Sequence, residues 1–136
     1  LEFSFLIKRI FNFRPSIRSA SRKLSRIYAY HPCLSIPFNI SEEKYAENMV
    51  SFELDTKYYW REKEKEIDFL KDLIPVEVKF KSKIEKRDIK WINYFIKKYG
   101  KKLNIKKSYI ITKDSEGKID KIQMIPLWKF CFNGLK

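Results

Sequence analysis

Glycine, cysteine and histidine are scarce in this sequence. Of its 136 residues, three are glycine, two are cysteine and one is histidine. Cys33 and Cys131 lie far apart and form no Cys-x-x-Cys pair, so neither a disulfide framework nor a zinc site is indicated. A reducing, intracellular location, the cytoplasm, is therefore predicted. His31 stands beside a proline, and we assign it no chemistry.

Segments that would direct the chain to a membrane or to a nucleotide are also missing. No apolar run approaches the ~18–20 residues of a membrane-spanning helix, and the amino terminus lacks the organisation of a signal peptide, so we predict no membrane partner. A G-x-x-x-x-G-K-[ST] phosphate loop is absent, so this chain alone should not hydrolyse nucleotides. The sequence begins with Leu1 rather than Met, and we interpret it as part of a longer protein.

Positive charge is what the sequence has in excess. Thirty Lys and Arg residues against 17 Asp and Glu residues give a formal net charge of +13. Residues 1–40 and 81–136 are strongly basic, whereas residues 41–80 hold eleven acids and seven bases. Basic chains of this kind usually bind nucleic acid, an anionic membrane or an acidic partner.

Length and composition predict a folded chain of about one domain. Hydrophobic residues make up 44% and aromatic residues 16%, which is typical of a packed globule rather than of a disordered segment. We divide the chain into a basic strand-loop-strand extension, residues 1–40, and a core, residues 41–136. The sequence leaves open whether the protein forms a homo-oligomer.

Residues 66–80 alternate apolar and charged side chains on both sides of Lys71–Ile74, which is the pattern of a β-hairpin. In the predicted register four apolar residues share one face: Ile67, Phe69, Val76 and Val78. The other face has Asp68 across from Glu77, and Glu66 across from Lys79. Like charges placed opposite each other cost roughly 0.2–1 kcal/mol, and a divalent cation between the carboxylates would remove this cost. The alternative is a solvated face whose charges are screened.

These residues also carry a family resemblance. Asp68, followed after eight residues by Glu77-Val78-Lys79, resembles the signature of the PD-(D/E)XK nuclease superfamily. A wider set of blocks resembles the nuclease-like domain at the carboxyl terminus of archaeal and bacterial AAA-type P-loop ATPases: residues 45–50, 58–61, 66–69, 74–79, 110–114 and 125–128. The resemblance implies a mixed three-layer α/β fold with the αβββαβ core of restriction endonucleases. It also implies a metal-dependent DNA endonuclease domain that is part of a larger ATPase.

The resemblance assigns roles to individual residues. Asp68, Glu77 and Lys79 would be catalytic, and Asp68 and Glu77 would hold Mg²⁺ or Mn²⁺. Glu47 on the first helix and the main-chain carbonyl of Val78 would be further ligands, although a surface Glu47 at the edge of the core is an equal alternative. Lys79 would orient the attacking water or stabilise the transition state. The predicted register adds an ion pair between Lys79 and Glu66.

Two groups of basic residues are candidates for phosphate contacts. The first lies around the predicted loop of the extension and consists of Arg14, Arg18, Arg22, Lys23 and Arg26. The second lies on the far side of the second helix and consists of Lys86, Lys90 and Lys97, with other lysines nearby. The alternative for both groups is charge that only keeps the surface soluble.

Periodicity and capping signals predict the remaining elements. They are strands at 3–13 and 23–30, a helix from Ser41 to about Leu54, a strand at 58–61, a helix from 85 or 86 to 99, strands at 106–112 and 119–124, and a helix from 126 to 130. Gly100 is predicted to end the second helix. In the strand at 58–61, Tyr58 and Trp60 are predicted on the apolar face of the hairpin, and Tyr59 opposite Asp68.

A second functional hypothesis comes from a different class. The chain would then be a module that keeps the nuclease fold with little or no catalysis and binds DNA or docks onto an ATPase domain. Binding of divalent metal would separate the two hypotheses, because a docking module should show none. A third and weaker hypothesis, membrane-surface binding by the basic extension, lacks the amphipathic helix that such proteins use.

Overall fold

The computed structural model of the protein describes residues 2, 4–14 and 25–135. Within these residues eight strands form one mixed sheet in the order β2-β1-β3-β4-β5-β6-β8-β7. The strands are β1 Ile7–Asn12, β2 Ser25–Ala29, β3 Tyr58–Glu62, β4 Lys65–Lys71, β5 Ile74–Lys79, β6 Ser108–Thr112, β7 Gly117–Ile119 and β8 Ile122–Pro126. The helices are α1 Glu42–Leu54, α2 Lys90–Tyr99 and α3 Leu127–Asn133, preceded by a 3-10 helix over Pro32–Phe38. The order α1-β3-β4-β5-α2-β6 is the αβββαβ order predicted from the resemblance, and the α/β class is confirmed.

The first helix begins where its capping signals predict. The Ser41 side chain accepts a hydrogen bond from the backbone N–H of Lys44 at 3.3 Å, and Glu42 and Glu43 occupy the first turn, where the helix dipole favours negative charge. The helix ends at Asp55, which adopts a left-handed conformation with φ 45°.

The second helix is shorter than predicted. Before it, the Asp88 carboxylate accepts a hydrogen bond from the backbone N–H of Glu85 at 2.7 Å and pairs with Lys81 at 2.7 Å. An aspartate side chain that binds a nearby backbone N–H competes with helix formation, so α2 begins only at Lys90. Gly100 follows the helix as predicted but keeps a helical φ of −54°.

The strand predicted at 119–124 is two strands. Asp120 adopts a left-handed conformation with φ 52°, and the chain reverses there. β7 then pairs antiparallel with β8, and β8 pairs parallel with β6. Asp tolerates left-handed conformations better than most residues, which makes this position a turn rather than the interior of a strand.

Helices cover the two faces of the sheet. α1 and α3 pack on one face, where the core includes Phe69, Val76 and Phe130. α2 packs on the other face, where Phe95 contacts Trp60. The structure thus has three layers, with apolar clusters on both sides of the central strands.

The predicted division of β3 and β4 into an apolar and a polar face is wrong. Tyr59 is buried in the core under α1, Trp60 in the core under α2, and Tyr58 is exposed. Ile67 and Phe69 likewise belong to different cores. A register shift between Tyr58 and Trp60 accounts for part of the difference. The remaining difference follows because helices cover both faces of the sheet, so that apolar side chains are buried on each face.

The amino-terminal strands extend the same sheet. β1 and β2 form an antiparallel pair, and β1 joins β3 in parallel through Phe11 and Tyr58. Ala29 of β2 donates its backbone N–H to the Asn48 side chain of α1 at 3.0 Å, which ties the edge strand to the helix. The predicted boundary between residues 1–40 and 41–136 stays a prediction. None of the helices in the described part of the chain is long and apolar enough to cross a membrane.

Candidate functional site

The central hairpin opens at its charged end. Backbone pairing between β4 and β5 extends from the turn as far as Phe69, which pairs with Val76. It is not continued at Asp68. Instead, the backbone N–H of Val78 donates to Asp68 Oδ2 at 2.9 Å, and the backbone N–H of Asp68 donates to Glu77 Oε2 at 3.2 Å. The two motif carboxylates therefore replace backbone carbonyls as acceptors where the strands part.

Four carboxylates and four cationic side chains meet around this opening. We call the carboxylates the acidic cluster; they are Glu47, Glu66, Asp68 and Glu77. The cationic side chains that pair with them are Arg26, Lys44, Arg61 and Lys79. The structure therefore brings together all three predicted carboxylate ligands and the predicted catalytic lysine.

Arg26 lies at the centre of the acidic cluster, although it comes from the edge strand β2. Its Nη1 lies 3.3 Å from Asp68 Oδ1 and 3.6 Å from Glu47 Oε1. Its Nη2 pairs with Glu66, and its guanidinium carbon lies 4.7 Å from the centre of the Tyr59 ring. The strand directs the Arg26 side chain into the protein's own carboxylates, and a phosphate contact by this residue stays a prediction.

Glu47 is held by three side chains, which are Arg26, Tyr28 and Lys44. It is buried, and its Oε1 accepts a hydrogen bond from the Tyr28 hydroxyl. Its Oε2 pairs with Lys44 one turn earlier on α1, at 2.8 Å. Burial and the neighbouring Glu47 charge raise the pKa of Tyr28. Glu47 is therefore a paired interior carboxylate, not a surface residue at the edge of the core.

Lys79 pairs with Glu77 and not with Glu66 as predicted. The Lys79 Nζ lies 3.0 Å from Glu77 Oε1, whereas Glu66 pairs with Arg26 and with Arg61, the latter at 3.8 Å. The predicted register would have placed Glu66 across from Lys79, but the opening of the hairpin separates them. Burial by itself would lower the pKa of Lys79, but the adjacent Glu77 raises it.

The acidic cluster is electrostatically strained despite these partners. Burial and the charge of Asp68 raise the pKa of Glu77 to about 8, and the Lys79 ammonium offsets only part of this rise. Burial and the charge of Glu47 also raise the pKa of Asp68, against the opposing effects of the Val78 N–H and Arg26. Strongly shifted carboxylates gathered at one place are typical of functional sites, although structural ion-pair networks produce them as well.

Carboxylate oxygens are the ligands that Mg²⁺ and Mn²⁺ prefer, so the donor chemistry suits the predicted metal. As placed, however, these side chains do not fit a divalent ion. Arg26 stands between Asp68 and Glu47, and the oxygens of Glu77 are taken by Lys79 and by the Asp68 N–H. Within the residues that the structure describes, no group of three or more His, Cys, Asp or Glu side chains is arranged to hold a metal. The metal ligands, Val78 included, stay a prediction.

The predicted phosphate-binding residues are exposed where the structure describes them. Arg14 follows β1, Lys86 lies in the segment before α2, and Lys90 and Lys97 lie two turns apart on α2. Lys90 Nζ lies 4.4 Å from the centre of the Trp91 ring. Arg18, Arg22 and Lys23 lie outside the described residues. Nucleic-acid binding by these side chains stays a prediction.

Sequence reasoning missed the groups that neutralise the acidic cluster. Arg26 and Tyr28 are two residues apart on β2 and therefore share a face, which an alternation pattern could have shown. Lys44 precedes Glu47 by three residues on α1, a spacing that favours a side-chain pair. Nothing local indicated that this strand would lie beside the motif, because Arg26 and Asp68 are 42 positions apart.

The fold and site together define a mixed α/β domain that has a buried acidic cluster at the open end of its central hairpin. Residues 42–130 match the model of a family described as a domain of unknown function (DUF4143), and the chain belongs to this family. Such domains are typically found with AAA ATPases, as predicted. No curated protein and no solved structure matches the chain. The matched residues include Glu47, Asp68, Glu77 and Lys79 but not Arg26.

Proposed function

We propose that this chain is a nuclease-fold module that binds nucleic acid beside an ATPase domain, without using a resident divalent metal. The observation that carries the proposal is the contrast between the protein's two charged regions. The acidic cluster is paired with the protein's own cations, whereas many of the described lysines on and around α2 have no such partner. Their positive charge is therefore available to phosphates.

The unpaired lysines surround one helix. Lys81 and Lys98 pair with Asp88 and Glu62. The exposed lysines of this region with no carboxylate partner among the described residues are Lys83, Lys86, Lys90, Lys97, Lys101 and Lys102. Phosphate contacts of this kind position a protein on DNA without reading its sequence. DNA is thus the proposed ligand, bound with little sequence preference, and the ATPase association of the family supports a role as an accessory module.

Replacing Lys90 and Lys97 together with Ala is expected to weaken the salt dependence of DNA binding. Each phosphate contact contributes a slope of about −0.9 to log affinity against log salt concentration, so losing two contacts should reduce the slope by about two units. The measurement is fluorescence anisotropy of a labelled duplex at several salt concentrations. Affinity should fall by a similar factor for unrelated duplex sequences.

A matched control comes from the β7–β8 hairpin. Lys118 and Lys121 are exposed there, at the edge of the sheet formed by β7, and their replacement by Ala removes the same total charge. We expect this control to change the slope much less than the α2 variant. An unchanged slope in the α2 variant would contradict the proposed surface.

Metal-dependent hydrolysis of DNA is the second candidate function. The observation in its favour is the meeting of Asp68, Glu77 and Lys79 at one place, with the pKa values of both carboxyl groups raised by burial. This candidate predicts nicking of plasmid or branched DNA with Mg²⁺ or Mn²⁺, and loss of nicking in Asp68→Asn and Lys79→Ala. Our proposal instead expects no cleavage above a no-enzyme control. Nicking that Asp68→Asn abolishes would therefore overturn it in favour of the second candidate.

A further inference from the structure

We infer that Arg26 is the resident cation of the acidic cluster and that it closes a latent divalent-metal site. The site would open to metal only when the guanidinium is removed. This inference concerns the acidic cluster alone and does not depend on whether the α2 lysines bind DNA.

The first argument is the position of the guanidinium. Arg26 Nη1 lies 3.3 Å from Asp68 Oδ1 and 3.6 Å from Glu47 Oε1, so it is paired with both oxygens. A Mg²⁺ ion bound to the same two oxygens would lie at about 2.0–2.1 Å from each and would bring a second positive charge close to the guanidinium. Arg26 therefore competes with a metal ion for these two oxygens.

The second argument is the charge balance. Among the described residues four carboxylates face four cations, which are Arg26, Lys44, Arg61 and Lys79, so the formal charges balance. Without Arg26 the formal charge becomes −1, and Asp68 and Glu47 lose the cation that lies between them. Unpaired buried charges are costly, so the cluster without its arginine should recruit a cation from solution.

The third argument is the way in which Arg26 is held. Its guanidinium forms ion pairs with carboxylates of α1 and β4 and stacks over Tyr59 of β3. The planar fork of an arginine suits such multiple contacts, which a lysine ammonium on its flexible stem reproduces less well. β2, which carries Arg26, lies outside the residues that match the family. In this chain a strand that precedes the matched residues in sequence thus supplies the cation that pairs with carboxylates inside the matched residues.

The test is Mn²⁺ binding to wild type and to Arg26→Gln, measured by the electron paramagnetic resonance signal of free Mn²⁺ and by the metal-induced change in melting temperature. We expect negligible binding by wild type, and a Kd for Mn²⁺ that is lower by about tenfold or more in Arg26→Gln, because the charge of the ligand set governs affinity. Adding Asp68→Asn to this variant should abolish the gain. Arg61→Gln is the matched control: it removes a cation that contacts only Glu66 of the cluster, and it should behave like wild type.

Three results would overturn the inference. Wild type that binds Mn²⁺ as tightly as Arg26→Gln would show that the guanidinium does not exclude metal. A folded Arg26→Gln, checked by far-ultraviolet circular dichroism, that binds no Mn²⁺ would show that the carboxylates form no metal site. If Arg26→Gln does not fold, Arg26→Met replaces it, because methionine keeps an unbranched side chain but carries no charge. Binding by a folded Arg26→Met that is no tighter than that of wild type would then count against the inference.

Discussion

Replacing Glu77 with Gln is expected to stabilise the protein by about 2–4 kcal/mol at pH 8.5 and by far less at pH 5. The size follows from the pKa of Glu77, since a one-unit pKa shift corresponds to about 1.4 kcal/mol of stability. Burial and the Asp68 charge raise the pKa of Glu77 from 4.5 to about 8 in the folded protein. The protonated form is thus favoured by folding. Its contribution to stability is fully present below pH 4.5 and is lost as the pH rises through about 8. Glutamine carries no charge and should not show this loss.

The contacts that Glu77 makes reduce the stabilisation expected from Glu77→Gln. In the Glu77→Gln variant the amide oxygen of the new side chain can still accept the backbone N–H of Asp68, but the amide cannot pair ionically with Lys79. The measurement is the free energy of unfolding in urea at pH 5, 7 and 8.5 for both proteins. Glu64→Gln, in the exposed turn between β3 and β4, is the matched control and should change stability by less than about 0.5 kcal/mol at each pH. A wild-type-to-variant difference that does not grow with pH would contradict the expectation.

The repulsion between the Asp68 and Glu77 carboxylates, on which this prediction depends, can be inferred in part from the sequence. The alternation around the hairpin predicts that Asp68 and Glu77 come together, and they do, through side chain to backbone hydrogen bonds. Alternation alone places them on a polar face, where repulsion would cost roughly 1 kcal/mol or less. The structure buries both residues, so the expected effect is larger. Burial depends on α1, which packs over the hairpin, and on the Arg26 side chain, which reaches Asp68 from the edge strand β2; alternation within a strand can show neither.

The order of the helices and strands is predictable for a local reason. The capping serine and acids before α1 act within one turn, and the apolar spacing of α2 acts within the helix itself. The errors that concern the acidic cluster and its neighbours arise where distant segments decide the outcome. Tyr59 is buried because Arg26 and α1 cover that face of the sheet, and neither is near it in sequence. The carboxylate partners of Arg26 could not be predicted, because they are brought to it only by the fold.

The same separation of local and distant effects applies to α2, whose exposed lysines are the proposed contacts to DNA. Its apolar side is fixed by Phe95, which is fully buried, with its ring centre 5.2 Å from that of Trp60 and 5.0 Å from that of Tyr99. Lys90 and Lys97 lie exposed on the same helix. Packing and nucleic-acid binding should therefore be separable by mutation.

Phe95→Ala is expected to lower the free energy of unfolding by about 3–5 kcal/mol, because it removes a buried aromatic ring and leaves a cavity between α2 and β3. Phe95→Leu keeps most of the volume and should cost less than about 1.5 kcal/mol. The Lys90→Ala, Lys97→Ala double variant should stay within about 0.5 kcal/mol of wild type, since surface changes rarely alter stability more. Urea unfolding measures all three. A lysine variant as unstable as Phe95→Ala would mean that these lysines support the fold, and its weaker DNA binding could then not be attributed to lost phosphate contacts.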